Sequence, residues 1–213
     1  QDHIMQAIKR DGYIENVEEN FKTKNNKKFT ALLSVTPITY HDEECFIGMI
    51  TDISKQKEME HEVRKIHKHT RDSIQYASLI QSAVLPDNKQ MQQHFSDQFV
   101  IWHPKDTVGG DIYLFNQLRH ENECLLMVID CTGHGVPGAF VTMLVKAVET
   151  QIISDIMNDK NMQISPAWIM EYLNRTLKRL LKQEDKDSVS NAGLDGGIIY
   201  YNQKEKIIKF CGA

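Results

Sequence analysis

Two segments of the chain carry the strongest signal: WHPKDTVGGDIYLF at residues 102–115 and CLLMVIDCTGHGVPGAF at residues 124–140. Each segment places an acidic residue where an apolar strand meets a glycine turn. Asp111 follows a Val-Gly-Gly turn and opens a strand, and Asp130 ends a continuous apolar run of strand length. The paired glycines permit backbone angles closed to other residues, so the carboxylate of Asp111 can be turned into a cleft. The segments therefore predict two neighbouring strands that each deliver one carboxylate.

Two carboxylates brought together repel each other, and a hard divalent cation with oxygen ligands relieves that repulsion. Metal binding by Asp111 and Asp130 is therefore the working hypothesis. A simpler interpretation competes for either aspartate alone: Gly-Gly-Asp is only a turn, and Asp130 caps the helix that Pro137 opens. The separation of 19 positions (130 − 111), with glycines beside both aspartates, favours the metal site.

Together the two segments resemble the metal-dependent serine/threonine phosphatases of the PPM class (the PP2C-like fold), within it the SpoIIE-type branch that includes the RsbU and SiaA phosphatases. The resemblance covers roughly residues 75–213. It implies an α-β-β-α sandwich, two Mn²⁺ or Mg²⁺ ions in the complete domain, and hydrolysis of phosphoserine or phosphothreonine on a partner protein such as a STAS-like anti-sigma-factor antagonist. By position, Asp111 and Asp130 match the family's metal aspartates, and the backbone carbonyl of Cys131 matches a metal ligand.

Three residues near these motifs have open roles. His134 either donates a proton to the leaving oxygen or only shapes the glycine turn around it, so the candidate catalytic set is Asp111, Asp130 and His134. Lys105 either meets a phosphate as a point charge or lies on the surface. Asp195 stands beside two glycines where the wider family usually has Thr or a small residue. It is a candidate for contacting the site or a phosphate-binding water.

The composition is that of an ordinary soluble chain of 213 residues, 41% hydrophobic and 25% charged, long enough for one large or two small domains. The formal charge of −4 gives no electrostatic case for nucleic acid. Four cysteines without paired spacing favour a reducing, cytoplasmic compartment over a disulfide framework or zinc site. We expect no membrane segment, because no apolar run approaches spanning length. The chain begins abruptly with Gln, which is typical of a fragment.

Residues 1–53 predict short antiparallel strands with one buried face. They resemble the C-terminal half of a PAS sensor domain, whose last strand commonly leaves through an Asp-Ile-Thr/Ser motif before charged residues, as in TDISKQKE at 51–58. The alternative is a dimerisation sheet that binds no ligand. About 50 residues make a marginal core, so we expect this part to pair with another chain or to be partly disordered.

Residues 54–86 predict a long helix, because Gly and Pro are absent until Pro86. The helix can be written in heptads and predicts a parallel coiled-coil homodimer. Its polar core residues either permit switching or only specify the register. In the SpoIIE-type branch, a similar helix ends in a Gln-x-x-Leu-Leu-Pro-like motif, here Gln81–Pro86, and leads into the catalytic domain. The two sets of core positions are Val63, Thr70, Ala77 and Val84, and Met59, Ile66, Ser73 and Ile80.

The sequence thus predicts an α+β chain in three parts: a partial PAS-like antiparallel sheet over 1–53, a linker helix over 54–86, and a truncated phosphatase sandwich over 87–213. Within the last part we expect a first strand at 98–103. Helices are expected from Pro137 to about Met157 and from Pro166 to about Lys182. The family's remaining metal aspartates are expected on strands beyond Ala213.

Two functional classes follow from these features. The first is a signal-transduction phosphatase controlled through the PAS-like part and the coiled-coil dimer, in which metal ions activate water as the nucleophile. The second is a non-catalytic regulatory or scaffold module that dimerises and binds a partner without turnover. The sequence favours the enzyme for the parent protein.

Overall fold

The computed structural model describes residues 6, 8, 10–184 and 191–213. Contacts within the chain divide it into two compact units, residues 1–70 and 71–213. The start of the expected PAS-like part, residues 1–5, 7 and 9, lies outside the described residues. Both units combine helix with antiparallel sheet, as expected for an α+β chain.

The first unit contains a three-stranded antiparallel meander in the order β1-β2-β3. The strands are β1 (Ile14–Lys22), β2 (Lys28–Tyr40) and β3 (Glu43–Asp52). Its core is small, because few apolar side chains are buried while both faces of β3 stay exposed. The buried side chains among the described residues are Ile14, Ala31, Leu33 and Ile53; the exposed ones on β3 are Phe46, Ile47, Met49 and Ile50.

A 30-residue helix, α1 (Ser54–Ala83), follows and contributes residues to both units. It begins after Asp52, whose carboxylate accepts a hydrogen bond from the backbone N–H of Ser54 at 2.9 Å. Apolar side chains at the predicted heptad positions remain about half exposed, namely Met59, Val63, Ile66 and Ile80. Intrahelical packing cannot cover such a stripe, because these side chains lie along one side of the helix.

The second unit is built on a four-stranded antiparallel sheet in the order β4-β5-β6-β7. Its elements in chain order are α2 (Asn88–Gln92), β4 (Asp111–Gln117), β5 (Glu123–Cys131), α3 (Gly135–Asn158), α4 (Pro166–Leu180), β6 (Leu194–Asn202) and β7 (Ile207–Gly212). Ser165 caps α4, since its hydroxyl accepts from the N–H of Trp168, and Pro166 occupies the first turn.

Helices α3 and α4 cover one face of this sheet. Alternate residues of β5, Leu125, Met127 and Ile129, are fully buried against them. Val145 and Ile152 of α3 and Leu173 of α4 are buried in the same cluster. The opposite face of the sheet carries Val128, Ile208 and Phe210, each more than half exposed. The described residues therefore form one helix layer and one sheet layer of the expected sandwich.

The strand expected at 98–103 is absent, and this segment is irregular. Its continuous apolar run at 99–102 suits a strand, but a strand exists only with a ladder partner. The described sheet order ends at β4 without it. The segment is instead attached through Trp102, whose Nε1 donates to the backbone carbonyl of Asp111 at 3.1 Å.

Helix α3 begins at Gly135, two residues before the expected Pro137, and His134 is its N-cap. Asp130 lies within β5, four positions before this cap. The alternative in which Asp130 caps the helix is therefore wrong. Helix α3 is also long and apolar enough to cross a membrane by length and composition, contrary to the expectation that no run approaches that length. Its buried side chains on the sheet mark it as a core helix of this unit.

Candidate functional site

Three aspartates form a row across the second sheet. In the antiparallel register Asp111 of β4 pairs with Asp130 of β5, and Asp130 pairs with Asp195 of β6. Directly opposed residues of an antiparallel pair project from the same face, with Cβ atoms about 4.5–5.5 Å apart. The structure thus brings together the two aspartates predicted from the sequence and adds the third one to their row.

The row lies on the face of the sheet turned away from α3 and α4. Neighbouring residues Ile112 and Ile129 point into the helix-covered core, so the alternation of each strand sends Asp111 and Asp130 to the opposite side. There they line a cavity of about 830 Å³. The cavity is also lined by the irregular segment Gln98–His103, by α2 residue Met91, and by Tyr113, Leu126, Val128, Asp195, Gly196 and Gly197.

The Asp111 carboxylate is perturbed by its position beside Asp130. The pKa of Asp111 is raised above its ordinary value, first by partial burial, then by the charge of Asp130 and by a hydrogen bond between the two carboxyl groups. Each cause favours the protonated form over the carboxylate. A proton or a cation shared between these groups would relieve the repulsion. The pair is therefore suited to binding positive charge.

Cys131 can offer only its backbone to such a site. Its side chain is buried on the helix-covered face, and burial, with the charges of Asp130 and Asp111, raises the pKa of its thiol to about 12. The thiolate, which is the form that binds metals, is therefore suppressed. This agrees with the assignment of the carbonyl, rather than the sulfur, as the candidate ligand.

Gly110 allows the two aspartate-bearing segments to pack together. A Cβ at Gly110 would lie 2.4 Å from the carbonyl oxygen of Cys131 and 2.5 Å from that of Gly133. These distances are too short for a real side chain. The Gly110 carbonyl also accepts a hydrogen bond from the Cys131 N–H at 3.0 Å. The residue before Asp111 must therefore be glycine for the loop after Asp130 to close on it.

His134 is not among the residues that line the aspartate cavity. Its Nδ1 lies 2.9 Å from Oδ2 of Asp106, and its side chain makes no capping bond to α3. Lys105, the other basic candidate, is exposed and lines a separate depression with Asp106 and Gly135. The structure thus places both next to the site loops and outside the cavity that holds the aspartate row.

Gln81 connects the end of α1 to the turn that presents Asp111. The side chain is 1% exposed; its Nε2 donates to the Gly109 carbonyl at 2.7 Å, and its Oε1 accepts from the Gly109 N–H at 3.1 Å. Nε2 also donates to the Thr142 hydroxyl of α3 at 3.0 Å. A glutamine side chain can satisfy both backbone groups of one residue because its amide carries a donor and an acceptor.

The side chains around the aspartate pair offer few further ligands for a divalent cation. Among the described residues, no group of three or more His, Cys, Asp or Glu side chains is arranged as a ready-made metal site. The Asp111–Asp130 pair nevertheless fits a hard cation, because it offers only oxygen donors and its mutual repulsion is what a cation relieves. Mg²⁺ is commonly held by one or two carboxylates with water completing its coordination. Two carboxylates and one carbonyl are therefore a sufficient protein contribution.

Comparison with known proteins identifies a similar fold among solved structures. No protein-family model matches the chain, and no curated protein sequence matches it. Among solved structures it is similar to the SiaA-PP2C domain of Pseudomonas aeruginosa, with 32% sequence identity and a TM-score of 0.57. The matched part has a PP2C-like fold. The match covers 70% of this chain and 55% of that chain, so the chain spans about half of the domain's length.

Two site residues had weaker signals in the sequence. Gln81 stood in a recognisable helix-ending motif. Its partner Gly109 lies 28 positions away, so the sequence did not indicate the hydrogen bonds between them. Asp106 stood in a polar loop, and nothing in the sequence indicated its bond to His134.

Replacing Gln81 with Leu removes the partner of both backbone groups of buried Gly109. Each unsatisfied buried group costs about 1–3 kcal/mol, so we expect Gln81→Leu to lower the free energy of unfolding by about 2–4 kcal/mol. The exposed Gln75 on the same helix provides the matched control, and Gln75→Leu should change stability by less than about 0.5 kcal/mol. Urea unfolding measures both; equal effects of the two substitutions would contradict the anchoring role.

The raised pKa of Asp111 predicts a pH-dependent gain for Asp111→Asn. A carboxyl whose folded pKa lies above its unfolded value destabilises the fold when ionised. This penalty is absent below the unfolded pKa and complete above the folded one. Asp111→Asn should therefore stabilise the metal-free protein at pH 7, with the gain vanishing below roughly pH 3.5. Urea unfolding in chelator tests it, with Asp72→Asn on α1 as control; a variant less stable at pH 7 would contradict it.

Proposed function

We propose that this chain belongs to a metal-dependent protein phosphatase that hydrolyses phosphoserine or phosphothreonine on a partner protein. One observation carries the proposal: Asp111 and Asp130 stand directly opposite each other on adjacent strands of a PP2C-like fold. The proposed substrate is a folded signalling protein of the STAS-like anti-sigma-factor-antagonist kind. The proposed compartment is the cytoplasm, where the free thiols of the chain remain reduced.

Asp111 and Asp130, with the carbonyl of Cys131, would hold Mn²⁺ or Mg²⁺. When bound, the two ions of the complete centre would generate a hydroxide nucleophile at neutral pH and neutralise charge on the phosphoryl oxygens. The chain's own residues supply position. The Gly109-Gly110 turn and the loop after Asp130 fix the two carboxylates, and the cavity on that face of the sheet gives a phosphorylated side chain room to approach.

The proposal includes control through a dimer. The apolar heptad positions of α1 are about half exposed, as expected for a helix whose apolar stripe packs against a second copy of the chain. Gln81 lies in the last turn of the same helix, and its amide holds the turn before Asp111. A shift of α1 would therefore act on the aspartate pair through this one buried amide. A parallel homodimer with the PAS-like sheet as its input is the arrangement that we propose.

A second candidate function rests on the same exposed stripe. A scaffold module would use α1 and the exposed sheet of the first unit for dimerisation and would bind a partner without turnover. The opposed Asp111–Asp130 pair favours the enzyme, because two like charges side by side are unfavourable unless a cation offsets them.

The test is metal-dependent hydrolysis of phosphoserine and phosphothreonine peptides by the full protein. We expect turnover with Mn²⁺ or Mg²⁺ and its loss in excess chelator. Asp111→Asn and Asp130→Asn should each lower turnover by more than about 100-fold. Mutating residues that only hydrogen-bond to metal ligands already lowers metal affinity or activity by about 10–100-fold. Glu171→Gln, an exposed carboxylate on α4, serves as the matched control. Undiminished turnover in chelator, or wild-type turnover by Asp111→Asn, would refute the proposal.

A further inference from the structure

Asp106 and His134 form a side-chain link between the two segments that carry the aspartate pair. Oδ2 of Asp106 and Nδ1 of His134 are 2.9 Å apart, although the residues are separated by 28 positions. Asp106 lies five positions before Asp111, and His134 lies four positions after Asp130. The bond therefore joins the segment before Asp111 to the loop after Asp130.

The loop on the His134 side is shaped to make this bond. His134 stands between Gly133 and Gly135, whose φ angles of +101° and +63° lie in the left-handed region. A Cβ at Gly135 would lie 3.2 Å from the same Oδ2 of Asp106, so the carboxylate is packed against the loop as well as bonded to the ring. Any side chain at Gly135 would crowd the carboxylate.

The bond also sets the imidazole's orientation. Asp106 can only accept when ionised, so Nδ1 of His134 carries the proton that it donates. Nε2, on the other side of the ring, is then directed away from Asp106. In many protein sites a carboxylate fixes the tautomer and orientation of a histidine ring in the same manner. His134 is thus held by Asp106 at the loop and does not line the aspartate cavity.

The exposure of the pair indicates what it can and cannot do. The His134 and Asp106 side chains are 69% and 48% exposed, and ion pairs of this kind contribute at most about 1 kcal/mol to folding. Global stability is therefore a poor explanation for the pair. Local geometry is a better one, because ligands of a metal must be held within roughly 0.5 Å of their productive positions.

We propose that Asp106 and His134 are positioning residues that hold the Gly109–Asp111 turn and the loop after Asp130 in the arrangement that binds a divalent cation. This inference rests on the proposed function, since it assigns the pair to the same metal centre. It differs from the interpretation of His134 as the acid toward the leaving oxygen. A positioning pair acts on metal affinity, whereas an acid acts on turnover at saturating metal.

The test measures Mn²⁺ binding to the full protein by titration calorimetry and by the electron paramagnetic resonance of free Mn²⁺. Asp106→Asn and His134→Gln should each weaken binding roughly two- to fivefold, the range that an exposed pair can supply. The double variant should bind no more weakly than the weaker single variant, because each substitution removes the same bond. Asp106→Glu, which keeps the carboxylate, should recover part of the affinity. For both single variants, the Mn²⁺ concentration that gives half-maximal turnover should rise in parallel with the loss of affinity.

Matched controls are Glu171→Gln on α4 and His120→Gln at the far end of the β4–β5 hairpin, and neither should alter Mn²⁺ affinity. Unchanged affinity in both single variants, or multiplicative losses in the double variant, would overturn the proposal. So would a His134→Gln variant with normal affinity and depressed turnover at saturating Mn²⁺, which would instead indicate the acid. If one variant fails to fold, the remaining variants decide by the same criteria.

The two proposals fail in different ways. Wild-type protein that binds no Mn²⁺, or Asp111→Asn that binds it normally, would sink the proposed function and this inference together. Mn²⁺ binding that depends on Asp111 but not on Asp106 or His134 would sink this inference alone.

Discussion

The repulsion between the Asp111 and Asp130 carboxylates is the constraint on which the second unit depends. Placing two like charges on opposed positions of adjacent strands is unfavourable. The pKa of Asp111 is raised first by burial and then by the charge of Asp130. Such an arrangement is tolerated when a bound positive charge offsets the repulsion. A divalent cation is the natural counterpart for a pair with only oxygen donors. The unfavourable charge placement is thus the clearest physical sign of function in the chain.

Contacts on several sides hold the segments that carry this pair of aspartates. Gly110 lets the loop after Asp130 close to a distance that no side chain would permit. Gln81 satisfies both backbone groups of Gly109 from the end of α1, and Thr142 ties the same amide to α3. The apolar core beneath the sheet gives these groups a rigid base. These bonds connect the last turn of α1 directly to the turn that presents Asp111.

The sequence predicted that Asp111 and Asp130 lie on neighbouring strands, but it did not predict the contacts that hold their loops. Asp111 and Asp130 could be read because each stands between an apolar strand and a glycine turn, and opposed strand ends follow from that pattern. The strand expected at 98–103 does not form, because a strand depends on a ladder partner, and a local apolar run does not specify one. The bonds of Gln81 and of Asp106 join residues 28 positions apart, and no local pattern encodes them.

Anomalous scattering from crystals of the full protein grown with Mn²⁺ tests the central claim most directly. The account predicts an anomalous peak within about 2.0–2.3 Å of a carboxylate oxygen of both Asp111 and Asp130, in keeping with oxygen–metal distances of small divalent cations. The peak should be absent in crystals of Asp111→Asn. Mn²⁺ bound elsewhere in an enzyme that turns over, with neither aspartate in contact, would contradict the account.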